Sequence, residues 1–237
     1  MKNLVIFILL TSFSLLGAAQ HVRLTYQPGY GIYKLKDLRD FQKEVAENED
    51  LPPLKMVESF PSYFNHTLLL ELRGPAPFSF GFHGGYTYTG ARNHYHDYSG
   101  EYKLDLQLNA FQLGINARYT FPSLLPVKKL NISFLMKAGI NFTTLTADEL
   151  LEIYEVDSFH EETTYECRSI YLEPGFGLHY RLFRFLSAGL SGAYAFDFSQ
   201  PLYQQYHKNQ FLLDENREKV EAQWSGIRIS VSLSLLF

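Results

Sequence analysis

Apolar and polar residues alternate without a break over Ile227 to Leu235, with Leu236 and Phe237 following. Ile227, Ile229, Val231, Leu233, Leu235 and Phe237 fall on one face of a strand, because successive side chains point to opposite sides. Arg228, Ser230, Ser232 and Ser234 fall on the other. A strand wholly apolar on one face, small and polar on the other, and ending at an aromatic residue suits the closing strand of a membrane barrel.

The same period of two recurs through the chain and predicts eight strands. The first runs from about Val22 to Tyr33, with Val22, Leu24, Tyr26, Tyr30 and Ile32 on its apolar face. The second, about Phe64 to Arg73, sets Leu68, Leu70 and Leu72 against Thr67, Glu71 and Arg73. The third sets Phe78, Phe80, Phe82, Tyr86 and Tyr88 against Ser79, Gly81, His83, Gly85 and Thr87. In the fourth, Leu104, Leu106 and Leu108 give way to Phe111, Leu113, Ile115, Ala117 and Tyr119. That shift of parity predicts a β-bulge near Asn109–Ala110. The fifth carries Leu130, Ile132, Phe134, Met136, Ala138, Ile140 and Phe142; the sixth Ile170, Leu172, Phe176, Leu178 and Tyr180; the seventh Leu186, Ala188, Leu190, Tyr194, Phe196 and Phe198. The terminal strand is the eighth. These runs reach roughly 10–14 residues, against about 9–11 for a tilted strand crossing a bilayer and 5–6 in an ordinary sheet.

The connections are lopsided. Short links follow the second, fourth and sixth strands: Gly74-Pro75-Ala76-Pro77, Pro122 to Lys129, and Phe183-Arg184. Long ones follow the others: about Lys34–Tyr63, Gly90–Tyr102, Leu145–Glu166 and Ser199–Trp224. Short periplasmic turns opposite long outer loops are the asymmetry of an outer-membrane barrel. Aromatics gather at both ends of the apolar band: Phe78, Phe80, Tyr119, Phe121, Tyr180, Phe185 and Phe237 toward one rim, and Tyr86, Tyr88, Phe142, Tyr194, Phe196 and Phe198 toward the other.

The front of the chain agrees. Lys2, an apolar run from Leu4 to Leu16, and Gly17-Ala18-Ala19 have the layout of a cleaved signal peptide. The expected organisation is a signal over 1–19 and a barrel domain over 20–237, with Gln20 the first mature residue. The run is too short to span as a helix, which takes about 20 residues.

Composition sharpens the class. Phe 20 and Tyr 17 against Trp 1 make aromatics 16% of the chain, yet mean hydropathy is only −0.15. A helical membrane protein is far more apolar, whereas a barrel shows lipid only every second residue. The formal charge of −4 argues against nucleic-acid binding. One cysteine, Cys167, cannot staple a small secreted domain.

Alternation by itself leaves two orientations open. A secreted lipocalin-like barrel turns its apolar face inward around a ligand. Here the polar face is mostly Gly, Ser, Thr and Asn, where a solvated surface would favour Lys and Glu. Small residues instead fit the crowded inside of an eight-stranded barrel. The signal, the eight amphipathic strands, the loop asymmetry and the closing Leu235-Leu236-Phe237 resemble the small outer-membrane β-barrel families, OmpX-like and OmpA-barrel-like. The resemblance covers the whole mature chain. It implies an all-β, eight-stranded antiparallel up-and-down transmembrane barrel in the bacterial outer membrane, monomeric, set in lipid and lipopolysaccharide. An extracellular partner would be reached through the loops.

The polar face carries Arg23, Glu71, Arg73, Asp105, Arg118, Lys137, Glu173, His179, Arg181, Asp197 and Arg228. Charges of both signs in a narrow barrel are costly unless paired. They therefore read as a plug of ion pairs, with Lys137 and Glu173 the preferred pair. A small-ion path is the sharper alternative, and solute passage belongs to barrels of 16–18 strands. A lipid-modifying enzyme needs Ser, His and carboxylate at one height. The nearest sets are Ser79 with His83, and His179 with Glu173 and Ser187. Ser79 and His83 are four residues apart on one strand, about 13 Å. No catalytic, cofactor-binding or metal-binding residue is assigned.

The loops add softer features. Asp148, Glu149, Glu152, Glu155, Asp157, Glu161 and Glu162 make the third acidic, read as a solvated loop or a divalent-cation surface. His94-Tyr95-His96-Asp97 in the second is a weak metal pattern. Leu38, Phe41 and Val45 in the first keep helical spacing, with Asp37 as N-cap and Pro52-Pro53 as stop. A short amphipathic helix over the barrel mouth follows.

Overall fold

The structure, a computed structural model, describes residues 22–47, 54–74, 77–122, 129–154 and 157–237. Residues 1–21, 48–53, 75–76, 123–128 and 155–156 lie outside them, and with them the signal expected over 1–19, Pro52-Pro53, Glu155 and parts of two short links. In chain order the elements are β1 (Val22–Tyr33), α1 (Lys36–Glu47), β2 (Lys55–Ser59), β3 (Tyr63–Arg73), β4 (Phe78–His96), β5 (Gly100–Thr120), β6 (Leu130–Ile153), β7 (Asp157–Arg181), β8 (Leu186–Phe198), β9 (Tyr203–Gln204), β10 (His207–Phe211) and β11 (Gly226–Leu236).

Eight of the strands close into a ring. Going round it, β1 pairs with β3, then β4, β5, β6, β7, β8 and β11, which returns to β1. Every pairing is antiparallel, and the seam joins Arg23 to Leu236 and Tyr33 to Gly226. Closure leaves the ring no free edge, so its backbone donors and acceptors are satisfied without water. β2 lies outside the ring, against the far part of β4, and β9 lies against the far part of β7.

The orientation is polar inward. Ile229 and Val231 are 54% and 59% exposed, while Ser230 and Ser232 between them are 7% and 4%. Phe80, Phe82, Leu113, Ile115, Phe176 and Leu178 continue this outer belt round the barrel. A contiguous exposed surface of that kind is far larger than a water-soluble monomer carries. The lipocalin-like orientation is thereby overturned. Rings pack at both rims of the belt, Phe78 on Tyr119 at 5.1 Å and Tyr194 on Phe196 at 4.7 Å between centroids.

Three expectations need correcting, the third at the start of α1. No bulge interrupts β5: Leu108, Asn109, Ala110 and Phe111 face Thr89, Tyr88, Thr87 and Tyr86 in unbroken register. The parity changes because the environment does. Leu104, Leu106, Leu108 and Ala110 point inward and are buried, whereas Phe111, Leu113 and Ile115 point outward into the belt. Above the belt the inside of the barrel is apolar and the outside polar. The second and third loops are not loops either. β4 and β5 run as one hairpin to Asp97–Ser99, and β6 pairs with β7 from Leu130–Tyr180 up to Ile153–Asp157. Among the described residues, Asp148, Glu149, Glu152, Asp157, Glu161 and Glu162 of that segment are strand residues.

The four tall strands form a wall above the belt, while β1, β3, β8 and β11 stop lower. α1 and the segment 199–224 fill the missing side. Tyr33, Leu35, Leu38, Phe60, Leu104, Leu106, Leu108, Leu145, Leu202, Leu212, Val220 and Trp224 form one buried core inside this head. Helix α1 turns Leu38 into it, with Phe41 and Val45 half-buried alongside, as the spacing predicts. Its start differs: Arg39 N–H bonds to Leu35 C=O, so Leu35 caps the helix and the exposed Asp37 sits in the first turn. There its charge still complements the helix dipole. Leu35 and Phe60 both have φ of 41°. Such a backbone costs about 1–3 kcal/mol for a non-glycine residue. Full burial of each side chain contributes about 1.5–3 kcal/mol and offsets that strain.

Candidate functional site

Two interiors are stacked in this barrel, a polar lumen within the belt and the apolar head above it. Inward positions of a strand recur every second residue, so each strand delivers a ladder of lumen side chains. From β6, β7 and β11 come Lys137, Glu173 and Arg228. Lys137 Nζ lies 2.5 Å from one Glu173 carboxylate oxygen and Arg228 Nη1 2.8 Å from the other. The expected Lys137–Glu173 pair is present, and Arg228 makes it a triad. Lower down, Arg118 clasps Glu71 through Nε at 2.9 Å and Nη2 at 3.0 Å, with Arg23 at 3.8 Å. Asn116 donates to the same carboxylate at 3.1 Å. Apart from the partly exposed Arg23, these are buried charges with charged partners, the arrangement their desolvation demands.

The rest of the lumen is filled. Asp197 accepts from Ser169 at 2.5 Å, from Asn141 at 2.8 Å and from the Trp224 backbone N–H at 2.9 Å. A cavity of about 20 Å³ remains beside Arg118, Lys137, Glu173 and Arg228, room for little more than one water. Arg73 and Arg181, expected inside, are exposed at the rim, and Asp105 sits in the tall wall with Arg92 at 2.5 Å and Lys103 at 2.7 Å.

The two candidate acid–base sets are not assembled. His83 bonds across the lumen to the Tyr171 hydroxyl. It reaches over Gly114, where a Cβ would lie 2.8 Å from the ring and block the path. His179 meets Arg118 Nη1 at 2.7 Å and Ser133 Oγ at 3.0 Å, with neither Glu173 nor Ser187 beside it. Two Pro-Gly steps, Gln27-Pro28-Gly29 in β1 and Glu173-Pro174-Gly175 in β7, both turn their glycine inward. Cβ atoms there would stand 2.3 Å from Ser230 Oγ and 2.7 Å from Ala193 Cβ, so crowding explains both.

In the head, buried Gln42 of α1 donates from its amide to Glu58 C=O at 2.7 Å and to Asn93 Oδ1 at 2.9 Å, and Asn93 donates back to Gln42 C=O at 3.0 Å. Arg39 donates to Phe60 C=O at 2.7 Å. Helix, β2 and β4 are thus bolted together over the mouth. Sequence reading missed this because Gln42 and Asn93 look like surface amides, and β2 has no clear alternation.

His94 and His96 of β4 lie side by side, with ring centroids 6.5 Å apart, but each takes a partner of its own. His94 bonds Glu101 at 2.9 Å, His96 bonds the Tyr154 hydroxyl at 3.0 Å, and Asp97 ties the hairpin tip. Asp97 accepts from the Ser99 hydroxyl at 2.7 Å, from Tyr95 at 2.7 Å and from the Ser99 amide at 2.8 Å. Those bonds pull its carboxyl down to about 2. Among the described residues no three metal-ligating side chains converge.

No protein-family model matches the sequence, and no curated protein matches it. Solved structures do align along most of the chain. A major outer membrane protein from Thermus thermophilus is 12% identical, covering 91% of this chain and 99% of that one with a TM-score of 0.49. Neisserial surface protein A is 10% identical over 92% and 96%, TM-score 0.41. The attachment invasion locus protein Ail of Yersinia pestis is 10% identical over 92% and 99%, TM-score 0.35. The likeness is one of fold. This chain is an eight-stranded antiparallel barrel similar to the small outer-membrane barrels, here with a packed lumen and an apolar head.

Proposed function

We propose that the protein is an integral outer-membrane barrel that works through its head, as a structural or surface-interaction protein, and that it neither conducts solutes nor catalyses a reaction. One observation carries this reading. The belt is apolar outside while the lumen is occupied by the Lys137–Glu173–Arg228 triad, with a cavity of about 20 Å³ beside it. An aqueous channel needs a wider barrel. Histidines engaged by Tyr171 and Arg118 argue against an acid–base centre. In this reading the head faces outward, lipid and lipopolysaccharide surround the belt, and the chain is a monomer released from a signal over 1–19.

The test combines membrane fractionation with migration of unboiled and boiled samples on gels. A heat-modifiable band in sarkosyl-insoluble outer membrane, with a mature N-terminus at Gln20, is expected. A soluble protein would overturn the reading. Discrete conductance in planar bilayers, or altered lipid A masses after gene deletion, would overturn its non-conducting and non-enzymatic parts.

A further inference from the structure

The head holds a cavity that the plugged-barrel reading leaves unused. It has a volume of about 350 Å³ and lies between the inner faces of β5, β6 and β7 on one side and α1 with Leu212 on the other. That is the size of a small-molecule site. Leu104, Leu106, Leu145 and Ala147 form its apolar wall, and Phe41 and Tyr165 supply rings.

Its polar end has one sign. Glu149 and Glu161 both line the cavity and are direct cross-strand partners in the β6–β7 ladder. Carboxylates placed opposite one another repel and destabilise the pair. Among the described residues neither has a cationic partner. Glu149 accepts from the Tyr102 hydroxyl at 2.8 Å, and Glu161 from the Thr163 hydroxyl at 3.3 Å. Burial, reinforced by Glu149, pushes the Tyr102 hydroxyl up, so it stays a neutral donor and adds no charge. Two like charges at the mouth of an apolar cavity are complementary to a cation that carries an apolar body. A divalent metal fits poorly, because no third ligating side chain converges there among the described residues.

We propose that this cavity binds a small amphipathic amine. Its protonated ammonium lies between Glu149 and Glu161 and its apolar body against Leu104, Leu106, Leu145 and Phe41. The ammonium donates to both carboxylates, and the nearby tyrosine and phenylalanine faces favour the cation further. This deepens the surface-interaction reading, and rests on it for the side from which the amine arrives.

Calorimetric titration of the full chain folded in detergent micelles tests it with three probes that share a phenethyl body: phenethylamine, 2-phenylethanol and 3-phenylpropionate. Saturable binding of one phenethylamine per chain is expected, with the alcohol at least about tenfold weaker and the acid unbound. The double substitution Glu149→Gln with Glu161→Gln should weaken phenethylamine by about tenfold or more. Ala147→Phe, which fills the cavity and leaves both carboxylates in place, should abolish binding. Each variant is first checked for its heat-modifiable gel shift. Absence of saturable binding, equal affinity for the alcohol, or retention of affinity in both variants would overturn the proposal. None of these results touches the fractionation and gel behaviour on which the barrel reading stands.

Discussion

Trp224 stands edge-on to Tyr33, with ring centroids 4.9 Å apart and planes at 85°. Together they floor the head. Trp224 donates from Nε1 to Thr143 at 3.0 Å, and Tyr33 bonds Thr87 at 2.6 Å. On the lumen side the Arg228 guanidinium lies 5.9 Å from the Tyr33 ring. The pair therefore separates buried charge from apolar core, a boundary across which neither interior would tolerate the other's contents.

Trp224 is the chain's one tryptophan and is fully buried. Its emission should be blue-shifted and poorly quenched by acrylamide in the folded protein. Trp224→Ala should destabilise the fold by about 3–5 kcal/mol, as large buried aromatics do. Leu38→Ala should cost about 2–5 kcal/mol. If α1 holds the head closed, it should also raise quenching of Trp224. Urea titration followed by fluorescence reads both.

Removing one member of the lumen triad leaves the others buried and unpaired. Glu173→Gln strands Lys137 and Arg228 and should cost roughly 3–5 kcal/mol. Lys137→Met alone should cost less, because Arg228 still neutralises Glu173 at 2.8 Å. A double-mutant cycle in lipid vesicles should return a coupling above about 0.5 kcal/mol. Additive costs would deny the triad.

The facing carboxylates of the head make a prediction of opposite sign. Glu161→Gln relieves repulsion from Glu149, and should raise stability by roughly 0.2–1 kcal/mol. The gain should shrink in high salt, which screens exposed charges. A loss of stability would show that Glu161 has an attractive partner.

Asp97 gives a pH dependence. Its carboxyl is held at about 2, below the ordinary carboxylate value, by the Ser99 and Tyr95 hydroxyls and the Ser99 amide. A depressed carboxylate favours the folded hairpin above its unfolded pKa, and the benefit fades as pH falls through the folded value. The Ser99 and Gly100 amides should therefore stay protected at pH 4 and lose protection approaching pH 2, as read by hydrogen exchange. Asp97→Asn should remove the dependence.

The belt was legible because lipid imposes a strict rule: every second residue of Ile227 to Leu235 must be apolar, and nothing else in the chain need be considered. The Lys137–Glu173 pair was legible because opposite charges inside a narrow barrel have few places to go. The head was not. Leu104, Leu106 and Leu108 obey the same alternation as Leu113 and Ile115, but in opposite phase, and a phase change looks like a bulge when only one environment is imagined. Likewise the acidic stretch reads as loop by charge, because hydrogen bonding to β5 and across the β6–β7 hairpin, rather than side-chain burial, keeps Asp148 to Ile153 and Asp157 to Glu162 extended. Gln42 and Asn93 could be paired only once α1 and β4 were in place.

The β6–β7 ladder persists almost to its tip, and that has an immunological corollary. An antibody or natural binder docking on this wall meets a preordered relief and loses little motional freedom in the target on contact. Sera raised against unstructured peptides copied from Leu145 to Glu166 should accordingly recognise boiled protein far better than intact cells.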